Sequence, residues 1–120
     1  MASRILLVED NMDVAVMLAD LLGERGFIVE IAKDGIAALE RLETRTFDLI
    51  VSDVQMPRLD GIGLHRELVR RHSIYANRFI LVTGSFDAVP SPMRVPIIYK
   101  PFEFTDLTRL IELKLAAGAA

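Results

Sequence analysis

A doubly wound α/β fold, with parallel strands joined by helices on both faces of one sheet, is what this chain of 120 residues predicts. Three observations carry that expectation. Short apolar runs alternate along the whole chain with segments of helical periodicity. The clearest runs are unbroken rather than alternating, as in strands covered on both faces. Most of the runs stop at a polar residue followed by turn or cap residues, and in open α/β sheets the carboxyl ends of the strands form the edge where ligands bind.

The elements follow in order. Arg4 to Val8 reads as the first strand. After Glu9-Asp10-Asn11, the residues Val14, Met17, Leu18, Leu21 and Leu22 repeat at helical spacing, so they are expected to face the core, and Gly26 ends that helix. Phe27 to Ala32 is rich in β-formers and makes a second strand. Asp34-Gly35 is a turn and cap, followed by a helix with Ile36, Leu39 and Leu42 in its stripe. Leu49-Ile50-Val51 is the core of a third strand that stops at Ser52-Asp53, before the turn signals Met56-Pro57 and Asp60-Gly61. Ile62 to Arg71 is a third helix, with Leu64, Leu68 and Val69 inward. Phe79 to Val82 is a fourth strand ending in Thr83-Gly84, and Val95 to Tyr99 a fifth ending in Lys100-Pro101. The last helix, from about Glu103 to Ala117, turns Leu107, Leu110 and Ile111 to the core. Pro90, Pro92 and the nearby Pro96 prevent a full crossover helix over Ser85–Arg94, leaving one turn at most or a mobile loop. Right-handed crossovers then give the flavodoxin-like strand order 2-1-3-4-5 in a single domain spanning residues 1–120.

In that order strands 1, 3, 4 and 5 are neighbours, so Glu9-Asp10, Asp53, Thr83 and Lys100 converge at one crevice. Asp53 taken alone is open to three readings: a turn former that ends a strand, a metal ligand, or a nucleophile. Three carboxylates in one place repel one another unless a cation is bound. Oxygen donors without His or Cys suit Mg²⁺ or Mn²⁺, and an open site at strand ends suits Mg²⁺ better than a closed Ca²⁺ cage. With one lysine and one hydroxyl added, the set matches phosphoryl transfer to a carboxylate. Asp53 would be the nucleophile, Lys100 and the metal would neutralise phosphoryl charge, and Thr83 would donate a hydrogen bond.

These residues resemble the response-regulator receiver domain of two-component signalling. Val8-Glu9-Asp10-Asn11, Asp53-Val54-Gln55-Met56-Pro57 with Asp60-Gly61, Thr83-Gly84 and Lys100-Pro101-Phe102 match that family's motifs in order and spacing, over Arg4 to about Leu115. The resemblance implies an aspartyl-phosphate at Asp53 and Mg²⁺ held directly by Asp10, Asp53 and the Gln55 carbonyl, with Glu9 acting through water. It implies a phosphohistidine donor on a sensor histidine kinase or a histidine phosphotransfer protein, which would cover the rim at Asn11, Val14 and Ala15 and at Pro101-Phe102. Two departures stand out. The position three residues before the lysine, normally an aromatic switch, is Ile97; Tyr99 is read as out of phase with it. The Ser85–Arg94 interval is too short for the family's usual fourth helix, as in stand-alone receivers.

Composition narrows the setting. An apolar fraction of 52% and a charged fraction of 26% describe a globular chain. No apolar run approaches the ~18 residues of a membrane span, and no signal peptide is evident. The absence of cysteine excludes disulfide and thiol chemistry, so a cytoplasmic protein is expected. A net charge of -3, with Arg70-Arg71-His72 the most basic triplet, argues against direct nucleic-acid binding. His65 and His72 are read as surface residues, and Leu113 as an exposed leucine open to a dimer or partner contact. The chain ends at Ala120 without an effector domain, so the expectation is output through contact with an unspecified protein target, from a monomer or weak dimer, or else service as a phosphate sink or relay. Two other functions compete. An aspartate-nucleophile phosphatase usually has a general acid two residues after the nucleophile, and Gln55 cannot serve as one. A receiver-like binding module that is never phosphorylated is disfavoured by the acidic pair and Lys100, and mildly favoured by Ile97.

Overall fold

The computed structural model describes residues 2–85, 88–90 and 93–119, with side chains as far as residue 117. Its strands are β1 (Arg4–Val8), β2 (Ile28–Ala32), β3 (Leu49–Asp53), β4 (Phe79–Thr83) and β5 (Ile97–Tyr99). All neighbouring strands pair in parallel, in the order β2-β1-β3-β4-β5, as expected from the sequence. Four α-helices are described: α1 (Met12–Glu24), α2 (Gly35–Thr44), α3 (Gly61–Arg70) and α4 (Phe104–Ala119).

Alternation along each strand divides the apolar core into two layers. Ile5, Leu7, Leu49, Val51, Ile80 and Val82 pack with Ala15 and Leu22 of α1 and with Leu107 and Ile111 of α4. Leu6, Val8, Ile50, Phe79 and Leu81 pack on the other face with Ala38 of α2 and with Ile62, Leu64 and Leu68 of α3. Every residue of β3 and β4 is buried, the expected state of central strands covered on both sides.

Several expectations need correction. β2 and β5 are shorter than their apolar runs: Phe27 bonds back to the Leu22 carbonyl at the end of α1, and Val95-Pro96 precede the β5 ladder. Met17 and Val69 are 53% and 52% exposed, because the stripes of α1 and α3 are narrower than their apolar sequences. Ala15 and Ile62 take the inward positions instead. His65 is not a surface residue. It lies half-buried with its ring edge-on to Phe79, the centroids 5.1 Å apart, and Nε2 3.0 Å from the Ala76 carbonyl oxygen. That carbonyl belongs to a 3₁₀ turn, Ile74–Asn77, whose buried Tyr75 accepts a hydrogen bond at its hydroxyl from the Phe47 N–H. Leu113 is exposed, as read from the sequence.

Between β4 and β5 no α-helix is present among the described residues. Ala88, Val89, Met93 and Ile97 pack onto the layer shared with α2 and α3. The single turn or mobile loop expected over Ser85–Arg94 falls partly on Phe86, Asp87, Ser91 and Pro92, which lie outside the described residues.

The loop joining β3 to α3 is tied to the start of α2. Asp34 caps α2 by accepting the Ala37 N–H at 2.8 Å, and its two oxygens also take a fork of hydrogen bonds from Arg58, at 2.7 and 3.0 Å. The Gly35 N–H donates to the Leu59 carbonyl at 2.9 Å, and a Cβ on Gly35 would stand 2.6 Å from that oxygen. Arg58 holds the Asp34 carboxyl below its ordinary value, despite the opposing effect of burial.

Urea unfolding of three variants tests this packing. Leu107→Ala, at a fully buried position, is expected to cost ~2–5 kcal/mol in urea unfolding. Leu113→Ala is expected to stay within about 0.5 kcal/mol of wild type. Because the folded-state pKa of Asp34 is depressed, the stability gained from its pairing with Arg58 is complete above the ordinary value of 3.8 and is lost as pH falls toward the folded value. The gap in urea midpoint between wild type and Asp34→Asn, which keeps a capping side chain, should therefore narrow below pH 3.8.

Candidate functional site

The carboxyl edge of the sheet is built by register. Val8 pairs with Ser52, so Glu9 and Asp53, the next residue on each strand, stand side by side just past that pair. Asp53 pairs with Val82 of β4, and Thr83 pairs with Tyr99 of β5, with Lys100 directly after. Alternation puts Asp53 in line with Leu49 and Val51, and Lys100 in line with Ile98, all on the face covered by α1 and α4.

Asp53, Glu9 and Asp10 each offer a carboxylate oxygen within 4.8 Å of the others. Asp53 and Glu9 are buried, at 8% and 5% exposure, whereas Asp10 is exposed. The Lys100 Nζ donates to Asp53 Oδ2 at 3.1 Å and lies 4.0 Å from Glu9 Oε2. Burial pushes the Glu9 carboxyl up to about 7; the neighbouring Asp53 also raises it, while the Asn11 N–H and Lys100 oppose the rise. One ammonium thus reaches two of the three clustered carboxyl groups, and the centre is electrostatically short of positive charge. The donor set is oxygen only, which fits a hard divalent cation such as Mg²⁺.

The surrounding chain explains why these side chains sit where they do. Asn11 caps α1 by accepting the Val14 N–H at 3.2 Å, so the helix begins at once after the acidic pair. The Asn11 N–H itself donates to Glu9 Oε1 at 3.1 Å. Gly61 allows α3 to start against β3, since a Cβ there would stand 2.3 Å from the Asp53 carbonyl oxygen. Its N–H closes the intervening loop on the Val54 carbonyl at 2.9 Å. Gln55 lies in that loop with an exposed side chain. Beside the carboxylates, an apolar cleft of about 400 Å³ runs between Val14, Met17 and Leu21 of α1 and Phe102 and Phe104 at the start of α4.

Thr83 belongs to the same edge but is aligned with the other face. It is 1% exposed, and its Oγ1 donates to the Ser85 carbonyl at 3.3 Å while accepting the Ser85 N–H at 3.2 Å. The hydroxyl is therefore engaged with the chain leaving β4. The phase expected for Tyr99 is corrected here: Ile97 and Tyr99 are two residues apart and share a face, and Tyr99 is the residue paired with Thr83. Ala15 is also removed from the expected rim, because it is fully buried, whereas Asn11 and Pro101 are exposed and Val14 and Phe102 half-buried. The sequence reading passed over the contact between Arg58 and Asp34. Its only local signal was a cap residue with a polar position far along the chain.

Comparison with known proteins agrees with this fold. Residues 5–112 match the profile of the response regulator receiver domain. The chain is 35% identical over 121 residues to the response regulator receiver protein CpdR of Brucella abortus, spanning 96% of this chain and 98% of that protein. It is 32% identical over 122 residues to the transcriptional activator protein IrlR of Burkholderia pseudomallei, spanning 98% of this chain but 52% of that protein, so it covers about half the length of that relative. Among solved structures it resembles the receiver domain of the sensor histidine kinase PA1611 of Pseudomonas aeruginosa, which was solved with a magnesium ion coordinated in its active-site cleft. The TM-score is 0.79 at 27% identity, spanning 97% of this chain and 99% of that one. With residues 5–112 matched by that family's profile and a near-full-length relative at 35% identity, this chain belongs to the response regulator receiver domains.

Proposed function

We propose that this chain is a phosphoacceptor receiver that takes a phosphoryl group onto Asp53 from a phosphohistidine of a sensor kinase or phosphotransfer protein. The observation that carries the proposal is the contact of 3.1 Å between Lys100 Nζ and Asp53 Oδ2 at the edge shared with Glu9 and Asp10. In the reaction one Asp53 carboxylate oxygen attacks phosphorus. A P–O bond forms, the P–N bond to the donor imidazole breaks, and the imidazole nitrogen retains the electron pair and takes up a proton.

Asp10, Asp53 and the Gln55 carbonyl would hold a Mg²⁺ or Mn²⁺ ion directly, with Glu9 reached through water. When bound, the ion supplies charge neutralisation to the phosphoryl oxygens. Lys100 moves from the carboxylate to the phosphoryl group as the latter arrives, supplying a fixed positive charge where negative charge accumulates. Thr83 donates to the phosphoryl group only by releasing the Ser85 carbonyl, to which its O–H is now directed. Phosphorylation adds about -1.5 to -2 charges, and the exchange of partners at Thr83 transmits that change to the segment after β4.

The donor reaches Asp53 across the rim formed by Asn11, Val14 and Pro101-Phe102, where the cleft leads to the carboxylate. Self-catalysed transfer and hydrolysis are the only reactions this site requires. A single receiver domain over residues 1–120, acting in the cytoplasm as a monomer or weak dimer through a protein target, completes the reading. Among the described residues no helix is long and apolar enough to cross a membrane.

Intact mass after incubation with acetyl phosphate tests the proposal. Wild type is expected to gain one phosphoryl mass only when Mg²⁺ is present, and Asp53→Asn to gain none. Lys100→Ala should retain the fold and slow the gain by at least about tenfold, the scale of one lost charge-stabilising donor. Absence of any gain in wild type would favour the binding-module alternative.

A further inference from the structure

The loop between β3 and α3 carries an unusual residue for its backbone. Arg58 has φ of 66°, a left-handed conformation that is uncommon for a long side chain. Its guanidinium reaches out of that loop to Asp34, which is 2% exposed, and grips both carboxylate oxygens. Beside the fork, the Gly35 N–H bonds to Leu59, and the absence of a Cβ on Gly35 allows the two segments to touch. At its other side the same loop is closed by the bond from Gly61 to Val54. Residues 54–60 are thus held at both ends, and Gln55 lies between the fixed points.

A main-chain carbonyl cannot be aimed by rotating a side chain; only the dihedral angles of its loop direct it. Mg²⁺ demands near-ideal octahedral geometry, so it is sensitive to how firmly such a carbonyl is held. A bidentate arginine fork fixes direction as well as distance, whereas lysine would provide only a point charge. We infer that Arg58, clamped on Asp34, is a positioning residue for the cation site: it holds the loop that carries the Gln55 carbonyl and so sets divalent-metal affinity without touching the metal. The inference rests on the cation reading proposed above and adds to it a residue outside the cluster of carboxylates.

The test is Mn²⁺ binding to the full chain, with free Mn²⁺ measured by electron paramagnetic resonance, for wild type, Asp10→Asn, Arg58→Ala and Arg58→Lys. Thermal unfolding of each variant is followed in parallel. Arg58→Ala should raise the Mn²⁺ dissociation constant about tenfold, the lower end of effects seen when a partner behind a metal ligand is removed. Arg58→Lys should fall between Arg58→Ala and wild type. At saturating Mg²⁺ the rate of phosphorylation by acetyl phosphate should return to near the wild-type value, which a role in the chemical step would not allow. If Arg58→Ala does not fold, Arg58→Gly carries the test, because glycine suits the left-handed backbone while removing the fork. A wild-type Mn²⁺ affinity in a folded Arg58→Ala or Arg58→Gly variant overturns the inference and leaves the cation site standing. Failure of wild type to bind Mn²⁺, or binding indifferent to Asp10→Asn, overturns the cation reading and this inference with it.

Discussion

The structure turns on a negative charge at the end of a strand that is buried along its whole length. Asp53 closes β3, between β1 and β4 and under helices on both faces, and retains 8% exposure. A carboxylate so placed needs compensation, since an unpaired charge in such surroundings is costly. The compensation has to come from neighbouring strands, because register leaves only their ends within reach. β1 brings further negative charge in Glu9 and Asp10, and β5 brings one lysine. The result is a centre incompletely neutralised by its own residues, and that deficit is the physical ground for proposing a cation site there.

Holding this centre open requires that the loops above it neither collapse onto it nor wander. Two glycines allow the close approaches involved: Gly61 against the Asp53 carbonyl and Gly35 against Leu59. Asn11 begins α1 directly past the edge by accepting an amide of its first turn, so little free chain is left after β1, and Asp60 does the same for α3 at the far end of the loop of residues 54–60. Asp34 does the same for α2 and also receives Arg58. A single buried carboxylate thus joins two loops from different crossovers. On the other side of the edge the cleft between α1 and α4 stays accessible, with apolar walls leading to a charged end.

Signalling through such a site depends on what can move. Thr83 is buried at the centre of the edge, yet its hydroxyl is bonded within its own turn to Ser85. Of the described residues beyond it, Ala88, Val89 and Met93 pack onto the apolar core and none lies in an α-helix. On β5 the aliphatic Ile97 belongs to the same apolar layer, and Tyr99, paired with Thr83, is the aromatic nearest the edge on that strand. Among the described residues, then, the chain between β4 and β5 holds no α-helix, and the position three residues before Lys100 is the aliphatic Ile97.

Strand order, the four polar strand ends and the helices between them could be read from the sequence. These depend on local periodicity, on unbroken apolar runs and on caps, all of which act over a few residues. Asp53, Glu9, Asp10 and Lys100 were legible because a parallel sheet brings strand ends together once its order is known. Most inward positions followed from periodicity, but packing set the exceptions, with Ala15 in place of Met17 as core and His65 against Phe79. The tertiary structure alone decided that Tyr99 pairs with Thr83, and that Arg58 reaches Asp34 across 24 residues of sequence. The physical reason is the same in each case. Helical stripes narrower than the apolar sequence, strand register and long-range ion pairs are set by which surfaces meet, and no window of neighbouring residues contains that information.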